Sequence, residues 1–373
     1  MYASELMSSC AAITSPRTAL SSPCTESLVS ELSDRLFPSF SRAGHRLKGE
    51  QYLRGLLTAP GRKSVRNIAR ALGDSGAAQR LHHFVCNAPW SWQPVRAALA
   101  AHLTDLAPPQ AWVVRPLLIP KSGTNSVGVH RRFVPETGQV MNGQQAHGLW
   151  YARQDLNAPV DWVLSPPSRT VPHPQPVDLG PGRRPVTSLL ATEATPPAPI
   201  LWDTPAADTE SALRSLATAS AAVRLSAGVT LQVLGPSGRP ALGPALPVER
   251  LVATPGAPWL RTYEVAPGVR AVTARVAPPG GDGRPQDGLL LYAQWRTDHP
   301  GRADFWLTTL TQAPAPELHR LTDLADQVAR DTTRTGARVG LRDFEGRSYA
   351  GWHRHMTLAS AAYAALMLGG GHG

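Results

Sequence analysis

The hydrophobic pattern of the chain changes its period near Pro108 and Pro109. Before this point, apolar residues recur at the three- and four-residue intervals of amphipathic helices, as in Leu28, Leu32 and Leu36. Beyond it, short apolar runs are separated by glycine, asparagine and serine, which is typical of β-strands. The change predicts an all-α domain followed by a domain that contains a sheet.

The elements beyond the proline pair predict a mixed α/β sheet with flanking helices. Three consecutive strands without intervening helices predict antiparallel pairing, and a following strand, helix and strand predict parallel pairing. Two further strands and two long helices complete the pattern. The predicted elements are strands 112–119, 126–133, 146–152 and 200–203, a helix 209–223, strands 229–234, 289–295 and 305–310, and helices 317–336 and 349–368.

Composition divides the chain further. Residues 1–25 are rich in serine, threonine and alanine, lack an apolar period, and are predicted to be a disordered tail. Residues 26–108 are predicted to form the helical domain and 109–373 the α/β domain. Two stretches rich in proline interrupt the strand pattern: 159–199 predicts a long surface connection, and 236–288 predicts an insertion of short strands.

Charge and cysteine usage limit the classes of function. The net charge of +10 favours a polyanionic partner such as double-stranded DNA. The best apolar run, residues 356–368, is shorter than the roughly 18 residues needed to span a membrane, and the first 45 residues lack a signal-peptide pattern. Three cysteines without C-x-x-C spacing exclude a disulfide scaffold and a zinc finger. The sequence predicts a cytoplasmic protein without a membrane segment.

Two segments have a distinctive order of residues. One reads KSGTNSVGVHRRF at 121–133 and continues through Thr137 and Gly138 to MNGQQ at 141–145, and the other reads GLRDFEGRSYAGWHRH at 340–355. They resemble the segments that follow the first catalytic aspartate and the catalytic glutamate in bacterial insertion-sequence transposases of the DDE type. The resemblance covers residues 45–368 and implies an RNase H-like fold that acts on DNA.

The same resemblance implies three carboxylates that hold two Mg²⁺ ions at the active site. Asp203, at the end of the strand 200–203, matches the second carboxylate. The first should fall at Arg115 or Pro116, and the third near Ala329, so two positions carry residues that do not bind a cation. The sequence therefore predicts a catalytically degenerate member that needs no cofactor. Asp203 without its partners also fits a cap of the turn after its strand.

Two neighbouring aspartates bear on the third position. Asp326 lies three residues before Ala329 and faces nearly the same side of a helix, although its side chain is shorter than that of glutamate. Asp331 lies two residues after Ala329 and faces away. An active DDE transposase with shifted ligands, dependent on Mg²⁺, therefore stays open as an alternative.

Loss of the acids from a fold whose defining segments are intact predicts a domesticated DNA-binding protein, with transcriptional regulation as one role and a homodimer as one assembly. A further alternative is a small-molecule enzyme or scaffold in which Arg115 binds an anionic group. Candidate phosphate contacts lie at a helix start, on the first hairpin and in the C-terminal segment, and each also fits a solvated polar face. They are Arg62, Lys63, Arg66, Arg70, Lys121, Arg131, Arg132, Arg347 and Arg354.

Overall fold

The computed structural model describes residues 23–74, 76–134, 138–165, 196–206, 208–216, 220–241, 244–254, 257–279 and 288–370. The predicted tail lies outside these residues as far as position 22, and the first helix begins at Pro23. The N-terminal part of the described chain is helical. Its helices are α1 Pro23–Leu36, α2 Ala43–Thr58, α3 Val65–Ala71, α4 Ala77–Cys86 and α5 Gln93–Leu106.

The remainder of the described chain is α/β. It contains twelve strands, which form one mixed sheet. The strands are β1 Ala111–Pro120, β2 His130–Val134, β3 Gln139–Ala152, β4 Asn157–Leu164, β5 Ile200–Ala206, β6 Ala221–Leu225, β7 Thr230–Val233, β8 Leu246–Pro247, β9 Arg261–Ala266, β10 Val269–Ala277, β11 Leu289–Arg296 and β12 Asp304–Thr308. The helices are α6 Thr209–Ser215, α7 Val248–Val252, α8 Ala315–Arg338 and α9 Tyr349–Leu368.

Five strands in the order β4, β3, β1, β5, β6 form the centre of the architecture. The first three pair antiparallel, whereas β1 and β5 pair parallel, with Trp112 opposite Ile200 and Val114 opposite Trp202. Strand β6 is the parallel neighbour of β5. This order, with the helices that pack on the sheet, confirms the RNase H-like mixed α/β fold.

The helix predicted at 209–223 is wrong in its second half. It ends at Ser215, and residues 221–225 form β6. The predicted parallel partner, 229–234, instead forms β7, which pairs antiparallel with β10. The run AAVRL in β6 favours a helix by its alanine content, but hydrogen bonding to β5 on one side and β12 on the other overrides that propensity.

The connection predicted at 159–199 begins too early. Residues 159–164 belong to β4, where Val160, Trp162 and Leu164 are buried. Among the described strands, β4 pairs only with β3, and such an edge position tolerates Pro159. Residues 166–195 of this connection lie outside the described residues. The strand predicted at 126–133 is also shorter than expected, since β2 begins at His130.

The predicted insertion, 236–288, extends the sheet. It includes β8, α7, β9 and β10, and β10 pairs along its length with β11. Strand β11 pairs with β12, which in turn pairs with β6 of the central five strands. The added strands are therefore hydrogen-bonded to the centre through β11 and β12.

Helix α9 is the central helix of the molecule. It packs against β4 on one side and against α2 and α4 of the helical domain on the other, and nearly all of its residues are buried. Trp162 of β4 donates its indole hydrogen to Ser360 at 2.9 Å, and Trp150 of β3 meets Tyr363 edge to face. In the described chain, no helix is both long and apolar enough to cross a membrane.

Candidate functional site

Asp203 lies in β5 with its side chain only 3% exposed. Arg115 of β1 donates a hydrogen bond to Oδ2, and Nε of Arg224 in β6 lies 2.8 Å from Oδ1. The three strands are neighbours in the central sheet, which brings the three side chains together. Both carboxylate oxygens of Asp203 therefore face a guanidinium group.

Arg224 joins Asp203 to two further carboxylates. Its Nη1 lies 2.9 Å from Oδ1 of Asp304 in β12, and its Nη2 donates to Oδ1 of Asp326 in α8. We call Arg115, Asp203, Arg224, Asp304 and Asp326 the arginine–carboxylate cluster. It links four strands of the sheet to the long helix α8.

The cluster holds Arg224 as a cation, whereas burial dominates at Asp203 and Asp304, whose pKa values are raised overall. Burial lowers the pKa of Arg224, but Asp203, Asp326 and Asp304 outweigh this effect, and its pKa is raised overall. Burial raises the pKa of Asp203, and the guanidinium groups of Arg224 and Arg115 act against that shift. Arg224 thus keeps a full positive charge among the carboxylates.

The residues present do not fit two Mg²⁺ ions. Such ions need oxygen ligands at about 2.1 Å, and both oxygens of Asp203 already face arginine nitrogens. The expected first position carries Arg115 and Pro116, and Ala329 of α8 has no ligand atom. Among the described residues, no three His, Cys, Asp or Glu side chains are grouped in a way that could hold a metal ion.

The two aspartates near Ala329 have different partners. Asp326 contacts Arg224 and so reaches the same guanidinium as Asp203. Asp331 instead accepts a hydrogen bond from Nδ2 of Asn157 in β4, at 2.6 Å. Only one of these two aspartates is therefore directed toward Asp203.

Most of the candidate phosphate contacts lie at the surface. Arg62 pairs with Glu345 at 2.8 Å, and each of these side chains is more than half exposed. Lys121 is half-buried and donates to the carbonyl of Phe344, while burial and nearby Arg62 lower its pKa. The start of α3, the end of β1 and the segment 340–347 therefore meet at one junction. The exposed candidates are Arg62, Arg66, Arg70, Arg131 and Arg347.

Two of the candidates are buried against internal carbonyl groups. Lys63 is 6% exposed and donates to the carbonyl of Ala59 at the end of α2. Arg354 is 7% exposed and donates to the carbonyls of Trp90, at 3.0 Å, and Val85, at 3.2 Å. Both cations satisfy buried carbonyl groups, so their predicted role as phosphate contacts has less support than that of the exposed candidates. Arg132 is partly exposed and contacts His130.

Residues 352–355 of α9, with the sequence WHRH, contact the N-terminal helices. Nη2 of Arg96 in α5 lies 3.0 Å from Nδ1 of His353, whose ring also stacks on Trp92 at 4.7 Å between centroids. Tyr52 of α2 donates to His355 at 2.9 Å. Together with Arg354, these residues contact α2, α4 and α5 and fix the helical domain on the core.

Sequence reasoning missed two arginines. Arg96 is 2% exposed and donates to Asp161 at 2.6 Å, to Thr357 at 2.8 Å and to the carbonyl of Trp162 at 2.8 Å. Arg224 lies at the end of β6, next to the stretch that sequence predicts to be helical. An alternating pattern, Val223, Arg224, Leu225, was the one available signal that it belongs to a strand.

Residues 35–194 match the family model described as DDE superfamily endonuclease. The match begins at the end of α1, includes α2 to α5 and β1 to β4, and ends before Asp203. A search of curated proteins found no match to the chain. Of the arginine–carboxylate cluster, only Arg115 lies within the matched region. The other four residues, Asp203, Arg224, Asp304 and Asp326, lie beyond it.

Proposed function

We propose that the chain, whose residues 35–194 match the model of the DDE superfamily endonucleases, is a transposase-like protein that binds double-stranded DNA without two-metal strand transfer. DDE transposase-family nucleases act on DNA. In this proposal the protein shares DNA as a partner with the family but does not catalyse its strand-transfer reaction.

One observation carries the loss of the reaction. The resemblance assigns one carboxylate, Asp203, to the catalytic set, and both of its oxygens face the guanidinium groups of Arg115 and Arg224. A guanidinium group presents only hydrogen-bond donors, so it neither activates a hydroxyl as a metal ion does nor leaves the carboxylate free to bind one.

The junction between the domains supports binding of a polyanion. We call Arg62, Arg66, Arg70, Arg342 and Arg347 the junction arginines, all of which are exposed. Arg66 and Arg70 are four residues apart in α3 and so lie on one face of the helix. The backbone N–H of Lys63 donates to Asp343 at 2.7 Å, which holds α3 against the segment that carries Arg342 and Arg347. The two parts of the surface are therefore fixed relative to each other.

A salt-dependent titration with duplex DNA tests the proposal. We expect wild-type protein to bind at low salt with an affinity that falls steeply as salt rises. Combined replacement of Arg62, Arg66 and Arg70 by alanine should lower the slope of log K against log[salt] by about one unit for each DNA phosphate that the variant no longer neutralises.

The matched control replaces three exposed arginines of the inserted strands and helix, Arg250, Arg261 and Arg270, by alanine. This variant loses the same formal charge, and its slope should stay closer to that of the wild type. Absence of DNA affinity at low salt, or equal slopes for the two triple variants, would contradict the proposal.

Two alternative functions can be tested with the same protein and variants. An active transposase with shifted ligands is favoured by the contact of Asp203 and Asp326 with one guanidinium, and it requires DNA cleavage or joining that depends on Mg²⁺ and on Asp203. An anion pocket at Arg115 has less support, because three carboxylates surround two guanidinium groups in the cluster. Binding without cleavage would suit a cytoplasmic transcriptional regulator, and a homodimer would present two junction surfaces.

A further inference from the structure

We propose that Asp203, Asp304, Asp326 and Trp306 form a binding cradle for a planar organic cation, which Arg224 fills from within the chain. We call these four residues the cation cradle. The proposal concerns the surroundings of Arg224 in the arginine–carboxylate cluster and does not depend on whether the protein binds DNA.

The edges of the Arg224 guanidinium each meet a different carboxylate. Nε lies 2.8 Å from Asp203, Nη1 lies 2.9 Å from Asp304, and Nη2 donates to Asp326. The three carboxylates come from β5, β12 and α8. The two terminal nitrogens donate hydrogen bonds to Asp304 and Asp326, whereas Nε lies within ion-pair distance of Asp203 without a hydrogen bond to it. The three carboxylates therefore lie around the rim of one flat cation.

Trp306 supplies an independent feature of the same kind. Its side chain is 1% exposed, and the central carbon of the guanidinium lies 4.8 Å from its ring centroid. The face of an indole ring carries negative charge density and attracts cations. An aromatic floor combined with carboxylates at the rim is the arrangement that recognises flat or alkylated organic cations.

The cradle is open on one side. The side chain of Asp203 at its base is 3% exposed, whereas those of Asp304 and Asp326 are 43% and 32% exposed. Removal of Arg224 would leave three carboxylates with Arg115 as the one remaining cation of the cluster. The resulting excess of negative charge favours entry of a small cation from solvent.

The spacing favours an organic cation over a divalent metal. The carboxylates lie around the perimeter of a guanidinium group. Mg²⁺ would instead require their oxygens to lie about 2.1 Å from a single ion. The described residues contain no three-carboxylate group arranged for a metal ion. Methylguanidinium should therefore bind the vacated cradle without rearrangement, and Mg²⁺ or Mn²⁺ should not.

Chemical rescue of Arg224→Ala tests the proposal. A ligand that binds only the folded state raises the melting temperature in a saturable way. At concentrations well below those that denature proteins, we expect methylguanidinium to raise the melting temperature of R224A by several degrees. The melting temperature of the wild type should stay the same or fall. Adding Asp326→Asn to R224A should weaken the response, because one rim carboxylate loses its charge.

Arg96→Ala is the matched control. Arg96 also donates to a carboxylate and to other internal acceptors, but Asp161 is only 13% exposed, compared with 43% for Asp304 and 32% for Asp326. The space left by removal of Arg96 is closed to solvent and should respond less to methylguanidinium. If R224A does not fold, Arg224→Met, which keeps an apolar chain over Trp306, replaces it.

Three results would overturn the proposal. They are no response of R224A or R224M to methylguanidinium, an equal response of the wild type, and stabilisation by Mn²⁺ that exceeds stabilisation by methylguanidinium. DNA affinity of R224A, measured in parallel, reports on the proposed function separately, because Arg224 is not among the junction arginines.

Discussion

Tyr52 in α2 donates its hydroxyl hydrogen to Nδ1 of His355 in α9, over a distance of 2.9 Å. Nε2 of the same ring lies 2.8 Å from the carbonyl of Gly340 and must carry a hydrogen to bond with it. A neutral ring with its hydrogen on Nε2 satisfies both contacts, and the lowered pKa of His355 makes this the form present at neutral pH. Burial lowers its pKa to about 4, although the Gly340 carbonyl and Asp343 act in the opposite direction.

The first prediction is that acid destabilises the fold below pH 6.5. Burial also lowers the pKa of His147 to about 4. The unfolded chain takes up protons near the ordinary value of 6.5, whereas the folded chain resists them down to about 4, so stability is full above pH 6.5 and falls as pH decreases through this window. Each histidine contributes on the order of 3 kcal/mol. Urea unfolding at a series of pH values measures the effect.

His355→Gln provides the control for this pH dependence. The variant should lose stability at neutral pH because Tyr52 and Gly340 lose their fitted partner. Its stability should also depend less on pH, by about one proton, between pH 6.5 and 4. An unchanged slope would show that His355 is not neutral in the folded protein.

The second prediction concerns Asp203→Asn. The substitution leaves Arg115 and Arg224 facing each other across a buried site that has lost its carboxylate charge. We expect a loss of about 3–5 kcal/mol in the free energy of unfolding. Asp298→Asn is the matched control, because Asp298 pairs with Arg296 on the surface and its loss should have little effect. A neutral outcome for D203N in denaturant titrations would contradict the ion-pair network.

The third prediction concerns Arg96→Met at the joint between the domains. It leaves Asp161 and the carbonyl of Trp162 without their donor, and we expect a loss of about 3–5 kcal/mol. Arg96→Lys should not restore stability, because one ammonium group cannot match the fork of a guanidinium. Unfolding in urea, followed by near-ultraviolet circular dichroism of the tryptophans, measures both variants. Equal stability of R96K and the wild type would contradict this role.

The fourth prediction is that Gly340→Ala is destabilising by more than about 1 kcal/mol. Gly340 has φ +73°, and a Cβ there would lie 2.5 Å from Cγ of the buried Lys63. Gly61→Ala separates the two causes, because Gly61 has φ +61° and open space around the added carbon. Thermal unfolding should rank G340A below G61A, and the reverse order would exclude the close approach of Lys63 as the cause.

The strand and helix that carry Asp203 and Asp326 could be predicted because their apolar periods are strong and uninterrupted. The cluster itself could not, because Arg224 lies in an alanine-rich run whose local propensity is helical. Its strand conformation depends on β5 and β12, which are distant in sequence. A basic residue that joins carboxylates from several elements cannot be identified until those strands are placed side by side.

The burial of Lys63 and Arg354 shows a second limit of sequence reasoning. The local sequence places Lys63 near a helix start and Arg354 within an apolar helix. A solvent-exposed cation is compatible with both positions. Whether the cation is buried depends on carbonyl groups such as those of Ala59 and Trp90, which only the folded chain brings within reach.

Strand β6 lies between β5, which precedes it in sequence, and β12, which follows after the whole inserted segment. Arg224 of β6 and Asp304 of β12 are 80 residues apart. During synthesis, one edge of β6 therefore stays unpaired while about 80 further residues are added. At typical rates of translation this takes roughly 4–16 s. An unpaired strand edge of this duration invites pairing with other nascent chains, so the yield of folded protein should depend on chaperones and on the speed of the ribosome.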